Sequence, residues 1–181
     1  KRKGCRQLLD AFAAIAPILP DLKLIIAGDG PERQSLEKQV LKLNLSDRVK
    51  FLGYISESQK PQLLSSATIA CFPSLYGEAF GIVLIEAMAA KAQVVLGGDN
   101  PGYRSVLGKR DGLLINPRDI KAFTNRLLIL LSDDKLRREL HDWQSNEVKK
   151  YDIAVVGQQI YDVYIEAIAR LNKKRHNKTH G

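Results

Sequence analysis

Short apolar runs of strand length alternate with segments of helical period along most of this chain, and that alternation leaves few folds open. The runs at 22–27 (LKLIIA), 49–52, 68–72 (TIACF), 93–96 and 113–115 are rich in Ile, Val, Leu and Phe and bounded by turn residues, so they read as buried strands. Between them, 4–16, 31–43, 57–67 and 82–90 read as helices, while 97–102 reads as a Gly/Asn/Pro turn. From Arg118 onward the reading is helical, at 122–131, 133–149 and 154–171. Strands joined through helices pair in parallel, so the expected class is α/β: a Rossmann-like parallel sheet with helices on both faces, plus C-terminal helices. A helix comes before the first strand, so the opening reads as a βαβ unit lacking its first strand.

A chain of 181 residues with 45% hydrophobic and 27% charged positions suffices for one globular domain with a full core. That excludes disordered, collagenous and small disulfide-stapled classes. The longest apolar stretches, 82–85 and 127–131, fall far short of the roughly 20 residues of a membrane-crossing helix, and no signal-peptide pattern is present, so a soluble intracellular protein is expected. Cys5 and Cys71 lie in apolar segments without CxxC or Cys/His spacing, so neither a disulfide nor a metal site is indicated. The net charge of +8 resides at the ends: Lys1, Arg2, Lys3 and Arg6 at the front, and Lys173, Lys174, Arg175 and Lys178 at the back. A balanced body argues against a nucleic-acid partner, whereas the basic ends suit an anionic membrane surface or a phosphate. The division expected is a globular domain over 1–172 and a basic, disordered tail over 173–181.

Open parallel sheets bind ligands beyond the carboxyl ends of their strands, which directs attention to the loops after Ala27, Leu52, Phe72 and Leu96. Gly28, Asp29 and Gly30 match the first two glycines of a dinucleotide fingerprint, but Arg33 stands where the third should be, and a dinucleotide site is disfavoured. The loop after Phe72 is more informative. Gly77, Glu78, Ala79, Phe80 and Gly81 lead into a helix at Ile82 whose first amides, Ile82, Val83 and Leu84, have no intrahelical partner and suit a pyrophosphate. Glu86 is a lone carboxylate on an otherwise apolar helix and needs a partner. Glu78 and Glu86 flank that helix start, and carboxylates accept from hydroxyls, so the pair suits the sugar and ribose of a nucleotide sugar. The alternative is that Glu78 caps the helix and Glu86 meets a core hydroxyl or basic group.

The KG of Lys3 and Gly4, the segments LIIAGDGPE and FLGYIS, the run PSLYGEAFGIVLIEAMAA and the closing YDIAVVGQQIYDVY together resemble a known family over nearly the whole chain. It is the retaining GT-B glycosyltransferases with an E-x7-E motif (glycosyltransferase family 4, group 1), and the chain resembles their C-terminal, donor-binding domain. Phosphatidylinositol mannosyltransferase-like enzymes are the subgroup it resembles most. The resemblance implies Glu78 and Lys3 as catalytic residues, Glu78 on a hydroxyl of the transferred sugar and Lys3 on the donor phosphates. It further implies the backbone of Ala79, Phe80 and Gly81 at the sugar, Glu86 at the ribose, Ile55 and Lys60 near the base, the amides of Ile82, Val83 and Leu84 at the pyrophosphate, and Gly28, Asp29 and Gly30 as donor-binding. The implied reaction moves a hexose with retained configuration from a nucleotide diphosphate sugar, GDP-mannose favoured over UDP-sugars, without cofactor or metal. The acceptor would sit on an N-terminal domain outside this chain, and the implied location is cytoplasmic, peripheral at the inner face of a membrane. Departures from the family pattern are the lack of its arginine several positions before Lys3, Lys91 in place of a glycine, and Tyr103 and Arg104 where an acid is common; both of these are expected at the surface. A non-catalytic nucleotide-sugar-binding regulatory or scaffolding module is the second reading, and a basic membrane or nucleic-acid adaptor, resting on the charged ends alone, is the third.

Overall fold

The computed structural model describes residues 2–179, with side chains over 2–170. Strands β1 (Leu24–Ala27) and β2 (Val49–Gly53) pair in parallel, as do β3 (Ile69–Phe72), β4 (Val94–Gly98) and β5 (Leu114–Ile115) in the order β3-β4-β5. The parallel pairing agrees with the α/β expectation, while the hydrogen bonds divide the strands into two sheets. The helices are α1 (Cys5–Ile15), α2 (Arg33–Lys42), α3 (Lys60–Ser65), α4 (Ile82–Ala89), α5 (Pro101–Leu107), α6 (Ile120–Ser132) and α7 (Asp134–Glu147), then a 3-10 turn (Val148–Tyr151) and α8 (Ile153–Thr179).

At 11 residues α1 is too short to persist alone in water, and its packing holds it. Its apolar residues serve two cores. Leu8, Ala11 and Ile15 join Leu84, Met88, Val94, Leu96, Phe123 and Leu140 in the larger one, whereas Leu9, Phe12 and Ala16 meet Leu36, Val40 and Val49 in the smaller. Each fully buried Leu, Ile or Phe contributes about 1.5–3 kcal/mol, so α1 joins the β1–β2 layer to the β3–β5 layer. Arg48 secures the turn after α1 by donating to the carbonyls of Leu22 (2.8 Å) and Leu19 (2.6 Å).

Strand β4 is buried along its whole length. The amides of Gly97 and of Asp99, just past its end, donate to the Leu113 and Ile115 carbonyls, but β5 is too short to reach Val95. There the Gln144 side chain of α7 takes over, its Oε1 accepting from the Val95 amide at 2.7 Å.

The turn expected over 97–102 is instead the end of β4 and the start of α5. Asn100 caps that helix, its Oδ1 accepting from the Tyr103 amide at 3.0 Å, and Pro101 occupies the first turn, where its missing N–H costs nothing. Tyr103 is fully buried, which corrects the surface position expected for it, because the capped helix turns that residue toward β4. Arg104 is exposed and paired with Asp99. Helix α8 packs on the 3-10 turn and leaves Ile160, Val163 and Tyr164 exposed. The basic tail expected over 173–181 falls on residues whose side chains lie outside those described.

Gly98 and Gly102 allow two backbone contacts with the loop after β3: a Cβ on Gly98 would stand 2.2 Å from the Ser74 carbonyl oxygen, and one on Gly102 2.2 Å from that of Glu78. Neither neighbour is a flexible side chain, so one backbone or the other has to shift. Gly98→Ala is expected to destabilise the fold by about 2 kcal/mol or more, the scale of overpacking a rigid site, measured by urea unfolding; wild-type stability would contradict the close approach.

Candidate functional site

The loop between β3 and α4 takes positive φ at Gly77 (75°) and Gly81 (115°), which glycine adopts without strain. It carries Glu78 at the mouth of α4. Lys3 Nζ lies 2.8 Å and Arg2 Nη1 3.0 Å from the same Glu78 oxygen, and Arg2 Nη1 also donates to the Gly77 carbonyl at 2.9 Å. The backbone reinforces this placement, since the Leu75 amide donates to the Arg2 carbonyl at 2.9 Å. Burial pushes the Glu78 carboxyl up, but hydrogen bonds from Lys3 and Ser74 and the charges of Lys3 and Arg2 outweigh it, and the net shift is downward. At neutral pH Glu78 is therefore an ionised, acceptor-only group. It does not cap α4, which removes the half of the alternative that concerns Glu78.

The start of α4 departs from expectation at one amide. Leu84 N donates to the Gly81 carbonyl at 2.9 Å, because the first turn tightens, and the Leu84 side chain is fully buried in the core. Leu84 is therefore not available to a pyrophosphate, and the amides of Ile82 and Val83 remain. Ala79 and Phe80 are exposed beside them, whereas Gly81 is buried; Phe80 meets Tyr151 edge-on at 5.9 Å.

Glu86 has found a basic partner. Lys60 Nζ lies 3.2 and 3.3 Å from its two oxygens and 2.7 Å from Glu57. The hydrogen bond that Lys60 donates to Glu57 pushes its ammonium up, burial opposes it, and Glu86 adds to the rise, so Lys60 stays charged. These groups line a shallow open cavity with Pro61, Leu64, Ala89 and Ala90. Ile55 is half-buried in the loop between β2 and α3 but is not part of that lining. Gly28, Asp29 and Gly30 are exposed, and their polar contacts stay local: Gly28 N donates to the Gly53 carbonyl at 2.7 Å and Gly30 N to Asp29 Oδ1 at 2.7 Å. Arg33, at the position of the third glycine, lies over Phe51 and pairs with Glu37.

The structure thus gathers Lys3, Glu78 and the start of α4 in one place and Lys60 with Glu86 in another, one turn along the same helix. Arg2, Ser74, Asn100 and Glu57 were not singled out by sequence. Arg2 was legible only as one charge beside Lys3, while Ser74 and Asn100 meet across 26 positions and require the fold. Among the described residues, no group of three or more His, Cys, Asp or Glu could hold a metal ion, and no helix is long and apolar enough to cross a membrane.

The fold is a parallel α/β layer with an ion-paired carboxylate before the start of α4, and comparison with known proteins shows the family that shares it. The family model of glycosyl transferases group 1 matches residues 1–147. The phosphatidyl-myo-inositol mannosyltransferase of Mycobacterium leprae is 37% identical over 174 residues, 96% of this chain and 45% of that protein. The crystal structure of Anabaena HepE in complex with UDP superimposes with a TM-score of 0.78 at 25% identity, covering 91% of this chain and 46% of that one. The C-terminal domain of the group 1 glycosyl transferase LpcC from Francisella tularensis superimposes with a TM-score of 0.74 at 25% identity, covering 84% and 82%. The chain belongs to the glycosyl transferases group 1 family. It spans a little under half the length of its mannosyltransferase relative.

Since the folded-state pKa of Glu78 is depressed, its contribution to stability is present above its ordinary value near 4.5 and is lost as pH falls through the folded value. Lys3→Met is expected to move the Glu78 titration upward toward that ordinary value, read by carbon NMR of the side-chain carboxyl. An unmoved titration would remove Lys3 as its partner.

Proposed function

We propose that this chain is the donor-binding domain of a retaining glycosyltransferase that moves a hexose, mannose favoured, from a nucleotide diphosphate sugar to an acceptor. The observation that carries the reading is Glu78, ionised between Lys3 and Arg2 at the start of α4, with Glu86 one turn further in. A diphosphate at this mouth meets two cations and the positive end of the helix, and a sugar attached to it comes beside an acceptor-only carboxylate. Glu86 offers two oxygens, which suits the neighbouring hydroxyls of a ribose, and the Lys60 cavity beside it takes the base.

When the bond between the sugar carbon and the diphosphate oxygen breaks, the electron pair goes to the diphosphate. Lys3, Arg2 and the amides of Ile82 and Val83 are aimed where that charge grows. The acceptor oxygen then forms the new bond at the sugar carbon and passes its proton to the departing diphosphate oxygen, which has taken the electron pair. The acceptor site lies on a part of the protein outside this chain, in keeping with a span of 45% of the mannosyltransferase relative. Mannose and a phosphatidyl-myo-inositol acceptor are favoured by the likeness to that relative, and a UDP-sugar is the competing donor by likeness to HepE. A non-catalytic module could dispense with Lys3 and Glu78, so the presence of both favours the enzyme.

Calorimetric titration with GDP, UDP, GDP-mannose and UDP-glucose tests the reading. One nucleotide diphosphate is expected to bind, and Glu86→Ala to weaken it by about 1–3 kcal/mol, the scale of a charge-assisted hydrogen bond. Unchanged affinity in Glu86→Ala would refute the ribose assignment, and robust sugar transfer by these 181 residues alone would refute the separate acceptor site.

A further inference from the structure

The loop that carries Glu78 is held at its far end by a ring contact that the donor reading does not use. Glu78, Ala79 and Phe80 lie between two left-handed glycines, Gly77 at φ 75° and Gly81 at 115°. Glycine admits many backbone conformations, so a short segment bounded by two of them pivots unless both of its ends are fixed. At the Glu78 end Lys3 and Arg2 fix it. At the other end the Phe80 ring meets the ring of Tyr151 edge-on, with centroids 5.9 Å apart and planes inclined at 73°, an arrangement that aromatic quadrupoles favour.

Tyr151 is a firm post. It ends the 3-10 turn after α7, and with Val148 of the same turn it packs half-buried against the larger core. Immediately beyond it Asp152 caps α8, its Oδ1 accepting from the Ala154 amide at 2.8 Å. Phe80, by contrast, is 41% exposed and belongs to neither core. The Ser105 hydroxyl stands 3.3 Å from the Phe80 carbonyl, but it has one proton to give, and the Gly102 carbonyl at 2.6 Å takes it. Phe80 is thus held chiefly through its ring.

We propose that Tyr151 is a positioning residue for this loop, acting through Phe80. The proposal rests on the reading that the donor sugar lies at the loop. Once a diphosphate draws Lys3 and Arg2 toward itself, the Glu78 end of the segment loosens. The ring contact then keeps the backbone of Ala79 and Phe80, and with it Glu78, facing the sugar. A segment already in its bound shape gives up less conformational freedom when the sugar arrives. The contact uses the tyrosine ring alone, so its hydroxyl is dispensable.

Tyr151→Ala, Tyr151→Phe, Phe80→Ala and Glu78→Gln are compared with wild type in the 181-residue chain. The backbone order parameter of Ala79, read by nitrogen relaxation without any ligand, is expected to fall in Tyr151→Ala and Phe80→Ala and to hold in Tyr151→Phe. The affinity for GDP or UDP is expected to stay within about twofold in Tyr151→Ala, while that for the matching nucleotide sugar falls about three- to tenfold, the value of one aromatic pair, and is restored in Tyr151→Phe. Tyr151→Ala combined with Phe80→Ala is expected to lose no more than either alone, since both remove one contact, and the sum of the two losses would overturn the link. A tyrosine that served only the core would move neither the order parameter nor the ratio of the two affinities. An unmoved order parameter in a folded Tyr151→Ala overturns the proposal, and so does an unmoved affinity ratio where Glu78→Gln lowers it. Phe80→Ala decides in the same way should Tyr151→Ala not fold. If Glu78→Gln leaves the sugar-dependent part of binding intact, the reading of the sugar at this loop fails, and the order parameters judge the Tyr151–Phe80 link on their own.

Discussion

The site depends on one close approach of backbones. The loop after β3 touches the end of β4 at Gly98 and the first turn of α5 at Gly102, at distances that admit no side chain. A surface loop is ordinarily among the more mobile parts of a protein. Here two rigid elements lie directly against its carbonyls, and the amino-terminal segment binds its other flank through Arg2. Glu78 therefore stands in a defined place before any ligand arrives, the condition under which a charged group contributes most to orienting a substrate.

The two carboxylates of the motif are held differently. Glu86 is over one-third exposed and faces a single lysine shared with Glu57. An ion pair so open to water contributes between nothing and about 1 kcal/mol, so it is exchanged at small cost. Glu78 is much less exposed and has two cations and a hydroxyl around it. Removing any one of these partners leaves a partly desolvated charge short of bonds, which is the expensive direction of change. One carboxylate is free to exchange partners, and the other is built to stay where it is.

Much of this was legible in the sequence. The strands came through because buried parallel strands are continuous apolar runs, and the helix at Ile82 because two glycines precede an apolar segment carrying a lone glutamate. Lys3 and Glu78 were identified through their family motifs, and the structure brings them within hydrogen-bonding distance. Helix α5 was lost because Asn100, Pro101 and Gly102 form a cluster that suits a turn as well as a capped helix start, and local sequence does not choose between them. Burial of Tyr103 followed from that choice. The occupation of the Leu84 amide was out of reach for another reason, since whether a first turn tightens depends on the surrounding packing. The Glu86–Lys60 contact joins two helices, and separation along the chain conceals it.

At the far side of the same sheet, the contact between Gln144 and Val95 carries a consequence for how molecules meet. A strand edge with an unsatisfied row of amides is a template on which another chain can add a strand. Because β5 ends early, β4 would present such an edge at Val95. The carboxamide of Gln144 is a peptide group in miniature, and with it α7 stands in for the strand that is not there. The sheet is thereby chemically finished at that point, and crowded copies of the molecule find no edge there on which to aggregate.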